Sequence, residues 1–130
     1  MTEQNIEKVG NITLDLTYYG GEDLYSDGPI EDEMLAVAQN HSEEELNGIV
    51  KEQFSWPYLY HFSNIRQNVI RFLPITKAHS VLEIGAGCGA ITGGLASMAD
   101  HVTCIELSKK RSLINANRIH FRKSKYGSSL

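Results

Sequence analysis

The sequence predicts an α/β fold in which a partial parallel sheet follows a mainly helical leader that carries one N-terminal strand. The apolar run at residues 81–84 leads directly into alternating glycines and then into a segment with helical character. A second, β-branched run at residues 101–106 ends in an acid about 20 residues after the glycines, the spacing found in doubly wound folds. Together these runs predict the first βαβ unit of a Rossmann-like sheet.

Length and composition indicate one globular domain. The chain has 130 residues, of which 42% are hydrophobic and 22% charged, values that are ordinary for a soluble protein with its own core. It has two cysteines without metal-type spacing and no apolar leader or membrane-spanning segment. We therefore expect a cytoplasmic location, no membrane partner and no metal site.

The formal charge of -4 argues against a nucleic-acid partner, because the whole chain provides no bulk attraction to phosphates. Acidic residues nevertheless gather early in the chain and basic residues late. The late group is consistent with a patch that faces RNA or phosphate, but we favour a solvated helix face. The acidic residues are Glu22, Asp23, Asp27, Glu31, Asp32, Glu33 and residues 43–45, and the basic ones are Lys109, Lys110, Arg111, Arg118, Arg122, Lys123 and Lys125.

The leader, residues 1–62, begins with a predicted strand. Apolar and polar residues alternate from Ile12 to Tyr18, the period-two pattern of a strand with one buried face, and Gly20-Gly21 ends it. Pro29 suits the first turn of a helix that has acidic residues near its start and stops at Asn40.

A second helix is predicted to begin after Ser42, because Ser42 and Glu45 form a capping-box pattern. Its apolar face consists of Leu46, Ile49, Val50 and Phe54.

An aromatic stretch at residues 54–62 joins this leader to a third predicted helix. Its aromatic residues could cover a ligand as a lid or anchor the leader to the core, and we favour the anchor. The third helix is capped by Ser63, ends before Pro74 and presents an apolar face suited to cover one side of the sheet. The aromatic residues are Phe54, Trp56, Tyr58, Tyr60 and Phe62, and the apolar face consists of Ile65, Val69, Phe72 and Leu73.

The alternating glycines predict a ligand cradle, since glycine lets the chain turn sharply and approach a ligand without a Cβ. The free N–H groups at the start of the following helix favour a carboxylate or phosphate. Glu106 lies where such folds bind ribose hydroxyls. The shorter pattern Gly85-x-Gly87-x-x-Ala90 also fits a dinucleotide-binding loop.

The full pattern Glu83-x-Gly85-x-Gly87-x-Gly89 followed by Glu106 resembles the first motif and second-strand acid of class I S-adenosylmethionine-dependent methyltransferases. The resemblance runs from residue 80 to about 117 and implies S-adenosyl-L-methionine as cofactor. It implies that the glycine backbone contacts the methionine part, that Glu83 supports the loop and reaches the amino group, and that Glu106 holds the ribose. The predicted cofactor-binding residues are Glu83, Gly85, Ala86, Gly87, Gly89, Glu106 and Leu107.

Each assignment has a simpler rival. Glu83 could be a surface carboxylate at a strand end, and Glu106 could cap the next helix, where Ser108 is well placed as the N-cap. The glycines could form an ordinary tight turn. Cys88 is expected to fill a small gap rather than act as a nucleophile, because no basic side chain lies near it in the sequence.

The resemblance implies a larger sheet than this chain provides. We therefore interpret residues 63–130 as the incomplete start of the cofactor-binding domain of a methyltransferase. The activity of the chain alone stays uncertain, no catalytic residue is identified, and the methyl acceptor stays open. Residues 118–130 neither extend the helical pattern nor begin a third strand, and residues 126–130 are expected to be unstructured.

A central strand with a bare edge exposes unpaired backbone groups, so we expect a homodimer through that edge or aggregation. Two alternatives to the methyltransferase remain. One is a nicotinamide- or flavin-binding oxidoreductase module, and the other is a non-catalytic interaction fragment that uses the leader and the basic tail.

Overall fold

The computed structural model describes residues 2–126 and has the expected α/β architecture, with a parallel strand pair after a mainly helical leader. Two antiparallel strands precede the helices of the leader. The elements in chain order are β1 (Ile6–Val9), β2 (Ile12–Asp15), α1 (Ile30–Asn40), α2 (Glu43–Gln53), α3 (Trp56–Phe62), a 3₁₀ helix (Asn64–Val69), β3 (Ser80–Ile84), α4 (Thr92–Met98), β4 (His101–Ile105) and α5 (Lys109–Tyr126).

The N-terminal strand is shorter than predicted and has an unpredicted partner. β1 and β2 form an antiparallel hairpin in which Val9 pairs with Ile12. β2 ends at Asp15 rather than near Gly20, because the Asp15 carboxylate accepts a hydrogen bond from the Thr17 N–H at 3.0 Å and turns the chain. Tyr18 is consequently 90% exposed.

The first two leader helices follow the prediction. Pro29 precedes α1, and the Ser42 hydroxyl accepts from the Glu45 N–H at 3.2 Å, which confirms the predicted cap of α2. Phe54 does not continue the apolar face of α2. It has a φ of 46°, in the left-handed region, and is 91% exposed where the chain leaves the helix.

The aromatic stretch is helical, and it anchors the leader through only two of its residues. Tyr58 and Phe62 are buried and meet edge to face at 5.4 Å between ring centroids. Trp56 and Tyr60 lie on the exposed side of α3 and stack on one another at 5.5 Å. The anchor prediction therefore holds for the buried pair.

The predicted third helix is wrong in type and in packing. Ser63 does cap it, accepting from the Ile65 N–H at 3.4 Å, but the segment is a short 3₁₀ helix. Three residues per turn do not bring the i and i+4 positions onto one face. Ile65 and Val69 are accordingly exposed. Phe72 and Leu73, which follow the 3₁₀ helix, are exposed as well, so the predicted apolar face does not cover the sheet.

The βαβ unit is present as predicted. β3 and β4 are parallel and paired from Ser80 opposite His101 to Ile84 opposite Ile105, with α4 between them in the sequence. Successive side chains point to opposite faces of a sheet. One face carries Glu83, which is buried, and the other carries Ile84, which is 77% exposed.

The buried core joins the leader to the glycine loop and to α5. One core cluster contains residues from both sides of the predicted boundary between residues 62 and 63. The division of the chain at that boundary stays a prediction. The members of the cluster are Met34, Ala38, Leu46, Tyr58, Phe62, Cys88 and Ile114.

Helix α5 continues past Asn117, where the sequence suggested a break. Of the end expected to be unstructured, Tyr126 is the last residue of α5, and residues 127–130 lie outside the described residues. Within residues 2–126, no helix is both long and apolar enough to cross a membrane.

Candidate functional site

The glycine loop between β3 and α4 has the conformation that its sequence predicts. Gly85, Gly87 and Gly89 have φ values of 72°, 57° and 84°, in the left-handed region that favours glycine. A Cβ added at Gly85 or Gly87 would meet nothing within 4 Å, whereas one at Gly89 would overlap the side chain of Asn115. The first two glycines therefore border open space, and the third is a packing position.

The loop is fastened to the end of β4 by its own N–H groups. Gly85 donates to the Ile105 carbonyl at 2.8 Å and Ala86 to the same oxygen at 3.3 Å. Gly89 donates to the Ala86 carbonyl at 3.1 Å. These bonds hold the loop in shape beside the space that Gly85 and Gly87 leave open.

Glu106 lies directly beside this loop. Its carboxylate accepts from the Gly87 N–H at 2.7 Å and from the Ser108 N–H at 3.1 Å. Ser108 itself caps α5, because its hydroxyl accepts from the Arg111 N–H at 3.1 Å. The carboxylate retains lone pairs for further hydroxyl donors. The neighbouring Leu107 is 68% exposed.

Glu83 is buried, so its interpretation as a surface carboxylate is wrong. It accepts from the Thr92 hydroxyl at 2.5 Å and from the Cys104 thiol at 3.5 Å. These contacts tie β3 to the start of α4 and to β4. The predicted roles of Glu83, supporting the glycine loop and reaching the cofactor amino group, stay predictions.

Two polar residues that the sequence analysis did not single out complete this network. Asn115 of α5 donates from its amide to the Thr92 hydroxyl at 3.0 Å. Its amide oxygen is buried, lies where a Cβ of Gly89 would stand, and has no hydrogen-bond partner within the described chain. The available signal in the sequence was the polar Asn115 between the apolar Ile114 and Ala116, both of which are buried in the structure.

Neither cysteine is activated. Burial raises the pKa of the Cys88 thiol to about 12, and burial together with the nearby Glu83 carboxylate raises that of Cys104 to about 11. Thiols with such pKa values stay protonated near neutral pH and are poor nucleophiles. Cys88 belongs to the core cluster, as expected of a residue that fills a gap.

Arg118 bonds to the loop and to two helices of the leader, contacts that the sequence analysis did not predict. It is 3% exposed. One of its terminal nitrogens donates to the Cys88 carbonyl at 2.8 Å and to the His61 carbonyl at 2.9 Å. Its other nitrogens donate to the two Glu43 carboxylate oxygens at 2.8 and 3.1 Å.

The early acidic and late basic residues pair with one another, so the expectation of a solvated helix face does not hold for the first turn of α5. Arg111 binds Glu31 at 3.2 Å and Asp27 at 3.5 Å. The same Asp27 contacts the ring of the buried His61 at 2.8 Å. In the same turn, Lys109 pairs with Glu7 and Lys110 pairs with Asp32.

No group of three or more histidine, cysteine, aspartate or glutamate side chains within residues 2–126 is placed to hold a metal ion. The polar groups near the site are instead the N–H groups of the glycine loop, the Glu106 carboxylate beside it and the buried Glu83 of the preceding strand.

Comparison with known proteins identifies a family and a relative that match parts of this chain. The model of the family described as ribosomal RNA adenine dimethylase matches residues 50–126. A stretch of 47 residues is 43% identical to the ribosomal RNA small subunit methyltransferase A of Oceanobacillus iheyensis, and it covers 36% of this chain and 16% of that protein. No solved structure matches the chain.

The family match corrects two expectations. It includes residues 118–126, which the sequence analysis had separated from the resemblance. The family's name also conflicts with the argument from net charge against a nucleic-acid partner. Methyltransferases of this family use S-adenosyl-L-methionine, in agreement with the cofactor that the motif implied.

Proposed function

The chain belongs to the ribosomal RNA adenine dimethylase family, and we propose that it forms the cofactor-binding part of an S-adenosylmethionine-dependent methyltransferase. One observation carries the proposal. The open space beside Gly85 and Gly87 adjoins the carboxylate of Glu106. A backbone that a ligand can approach closely, next to an acceptor for ribose hydroxyls, is the pairing that nucleoside cofactors require.

The proposed cofactor site uses the predicted residues in different ways. Gly85, Ala86 and Gly87 form its wall, and Glu106 with Leu107 forms its ribose end. Glu83 acts through Thr92, whose side chain it holds at the start of α4. Gly89 contributes by packing against Asn115 rather than by facing the ligand.

When bound, S-adenosylmethionine supplies an electrophilic methyl group on a sulfonium. The residues of this chain bind and orient it, and alignment of reacting groups is worth about 7–11 kcal/mol in well-oriented systems. No residue is assigned to acceptor chemistry or to proton transfer.

Ribosomal RNA is the proposed methyl acceptor. The family's name and that of the partial relative support this acceptor, and a cytoplasmic location is consistent with it. The aligned stretch spans 16% of that relative, so the activity of the whole protein is part of the proposal. The division into residues 1–62 as leader and residues 63–130 as the start of the cofactor domain is proposed on the same basis.

Calorimetric titration of the chain with S-adenosylhomocysteine, run beside NADH, tests the proposal. We expect saturable binding of S-adenosylhomocysteine, no binding of NADH, and loss of binding in Glu106→Ala. Glu52→Ala, which replaces an exposed acid of α2, is the matched control and is expected to bind like the wild type. Circular dichroism checks that each variant is folded.

Binding of NADH without S-adenosylhomocysteine would contradict the proposal and favour the oxidoreductase alternative. Absence of heat with both ligands would favour the non-catalytic interaction fragment.

A further inference from the structure

Arg118 joins three segments that are far apart in the sequence. From α5, its guanidinium reaches the carbonyl of Cys88 in the glycine loop, the carbonyl of His61 at the end of α3, and the carboxylate of Glu43 at the start of α2. The same guanidinium carbon lies 5.2 Å from the centre of the Phe62 ring. A single side chain thus connects the proposed cofactor loop to the leader.

The geometry depends on arginine. A planar guanidinium presents several N–H donors in fixed directions, so one end can grip a carboxylate while another reaches carbonyls. A buried charge is tolerated only when it is paired and hydrogen-bonded. The two bonds from Arg118 to Glu43 satisfy that condition and fix the orientation of the nitrogen that holds the loop.

Cys88 lies between Gly87 and Gly89, whose N–H groups already donate hydrogen bonds within the chain. Gly87 donates to Glu106, and Gly89 donates to Ala86. The Cys88 carbonyl, which accepts from Arg118, therefore lies between two fixed residues. Gly87 on one side bonds to Glu106, the proposed ribose-binding acid, and Gly89 on the other side packs against Asn115.

Helix α5 contacts this loop at a second point. Asn115 lies against Gly89 and precedes Arg118 by three residues, so both residues lie on one face of the helix. The side chain of Cys88 is buried in the core cluster that also contains Ile114 of α5.

We propose that Arg118 is a positioning residue for the cofactor loop, fixing the peptide at Cys88 so that Gly87 and Glu106 stay in register. Its effect on cofactor affinity rests on the proposed function. Its effect on the order of the loop does not, because the hydrogen bonds that define the loop lie within the chain.

Amide hydrogen exchange of the free chain, followed residue by residue by NMR, tests the order of the loop. In Arg118→Met we expect exchange at Gly87 and Gly89 to accelerate by about tenfold or more, the effect of losing a hydrogen bond to a charged group. The amides of β3 and α4 are expected to accelerate less. Arg118→Lys, which can reach one carbonyl but not all partners, is expected to restore part of the protection.

Arg111→Met is the matched control, because Arg111 lies on the same helix and pairs with leader acids but does not bond to the loop. It is expected to leave the relative protection of Gly87 and Gly89 as in the wild type. Titration with S-adenosylhomocysteine of the same variants is expected to show about a tenfold loss of affinity in Arg118→Met and wild-type affinity in Arg111→Met.

Wild-type protection of the loop in Arg118→Met would overturn the proposal, as would equal loss of loop protection in Arg111→Met. If Arg118→Met does not fold, amide exchange at Gly87 and Gly89 is measured in Arg118→Lys and Glu43→Gln instead. Wild-type protection in both of these variants would overturn the proposal. Failure of the wild type to bind S-adenosylhomocysteine would contradict the proposed function, while the exchange measurement would still decide the role of Arg118.

Discussion

At the scale of single residues, neighbouring glycines of the loop have different tasks. Gly85 and Gly87 border open space, whereas Gly89 leaves room for the buried Asn115. Asn115 is held by its bond to Thr92, so moving it away would break that bond. Substitutions in the loop therefore separate the binding of a ligand from the packing of the loop.

Gly87→Ala and Gly89→Ala make this separation measurable. Each places a side chain at a left-handed φ, which costs about 1–2 kcal/mol. Gly89→Ala is expected to lose roughly 1–3 kcal/mol more, because its Cβ overlaps Asn115. Gly87→Ala is expected to lose cofactor affinity beyond its effect on stability. Urea unfolding measures the free energies, and equal destabilisation by the two substitutions would contradict the packing role of Gly89.

His61 is expected to make the stability of the protein depend on pH. Burial lowers the pKa of His61 below its ordinary value of 6.5, although the hydrogen bond with Asp27 opposes this and Arg111 and Glu31 lie nearby. The unfolded chain therefore binds a proton more readily than the folded chain. The stabilisation is complete above pH 6.5 and is lost as the pH falls through the lowered folded pKa.

Replacement of His61 by Gln is expected to flatten the decline in unfolding free energy as the pH falls from 6.5 to about 5, since this is the range below the ordinary histidine pKa. His101→Gln, an exposed position at the start of β4, is the control. Denaturant unfolding at a series of pH values measures the slopes. An unchanged slope in His61→Gln would show that other groups cause the decline.

At the scale of elements, α5 is the helix that organises the site. Its first turn is capped by Ser108 and also by Asp23, whose carboxylate accepts from the N–H groups of Lys109 at 2.8 Å and Lys110 at 3.2 Å. Burial opposes ionisation of Asp23, but hydrogen bonds from Tyr19 and from these two amides outweigh it and lower its pKa. The negative charge also suits the positive end of the helix.

Asp23→Ala is expected to destabilise the protein by about 0.5–2 kcal/mol, the usual effect of losing a helix cap. Because Glu106 is bonded to the residue that precedes α5, the same substitution is expected to weaken protection at Gly87. Glu22→Ala, an exposed neighbour, serves as the control. Thermal unfolding and amide exchange measure the two effects. Stability equal to that of the control would contradict the capping role.

The elements also show which features could be predicted. Capping by Ser42, Ser63 and Ser108 was predictable because a cap depends on residues within one helical turn. The glycine loop and its two strands were predictable from local pattern. The 3₁₀ helix was not, because the spacing of its apolar residues matched an ordinary helix.

Longer-range contacts were beyond the reach of local pattern. Arg118 and Glu43 are 75 residues apart in the chain, and Lys109 lies 86 residues from Asp23. The separation of acidic and basic residues along the sequence was visible, but it does not by itself tell whether those charges face solvent or one another. The packing of α1 against α5 explains the pairs of Arg111 with Glu31 and of Lys110 with Asp32, and the other pairs join α5 to other segments of the leader.

At the scale of the whole molecule, the parallel sheet is open. β3 and β4 pair with one another in the described chain, and one face of the pair carries exposed apolar residues. These residues are Leu82, Ile84 and Ile105. Unpaired strand edges beside apolar side chains favour association with another chain.

We expect the chain to self-associate through this surface, in a concentration-dependent way that sedimentation velocity can follow. Ile84→Lys is expected to shift the equilibrium towards the monomer, because a charge on the sheet face opposes its burial. Leu24→Lys, at an exposed apolar position outside the sheet, is the control. A strictly monomeric wild type that unfolds cooperatively would contradict this expectation.

The most direct test of the proposed cofactor site is an NMR titration of the chain with S-adenosylhomocysteine. We expect saturable shifts of the backbone amides at residues 85–87 and at Glu106 and Leu107, with much smaller shifts at the exposed residues of α2. Saturable binding with no change at these amides would contradict the assignment of the glycine loop as the cofactor site.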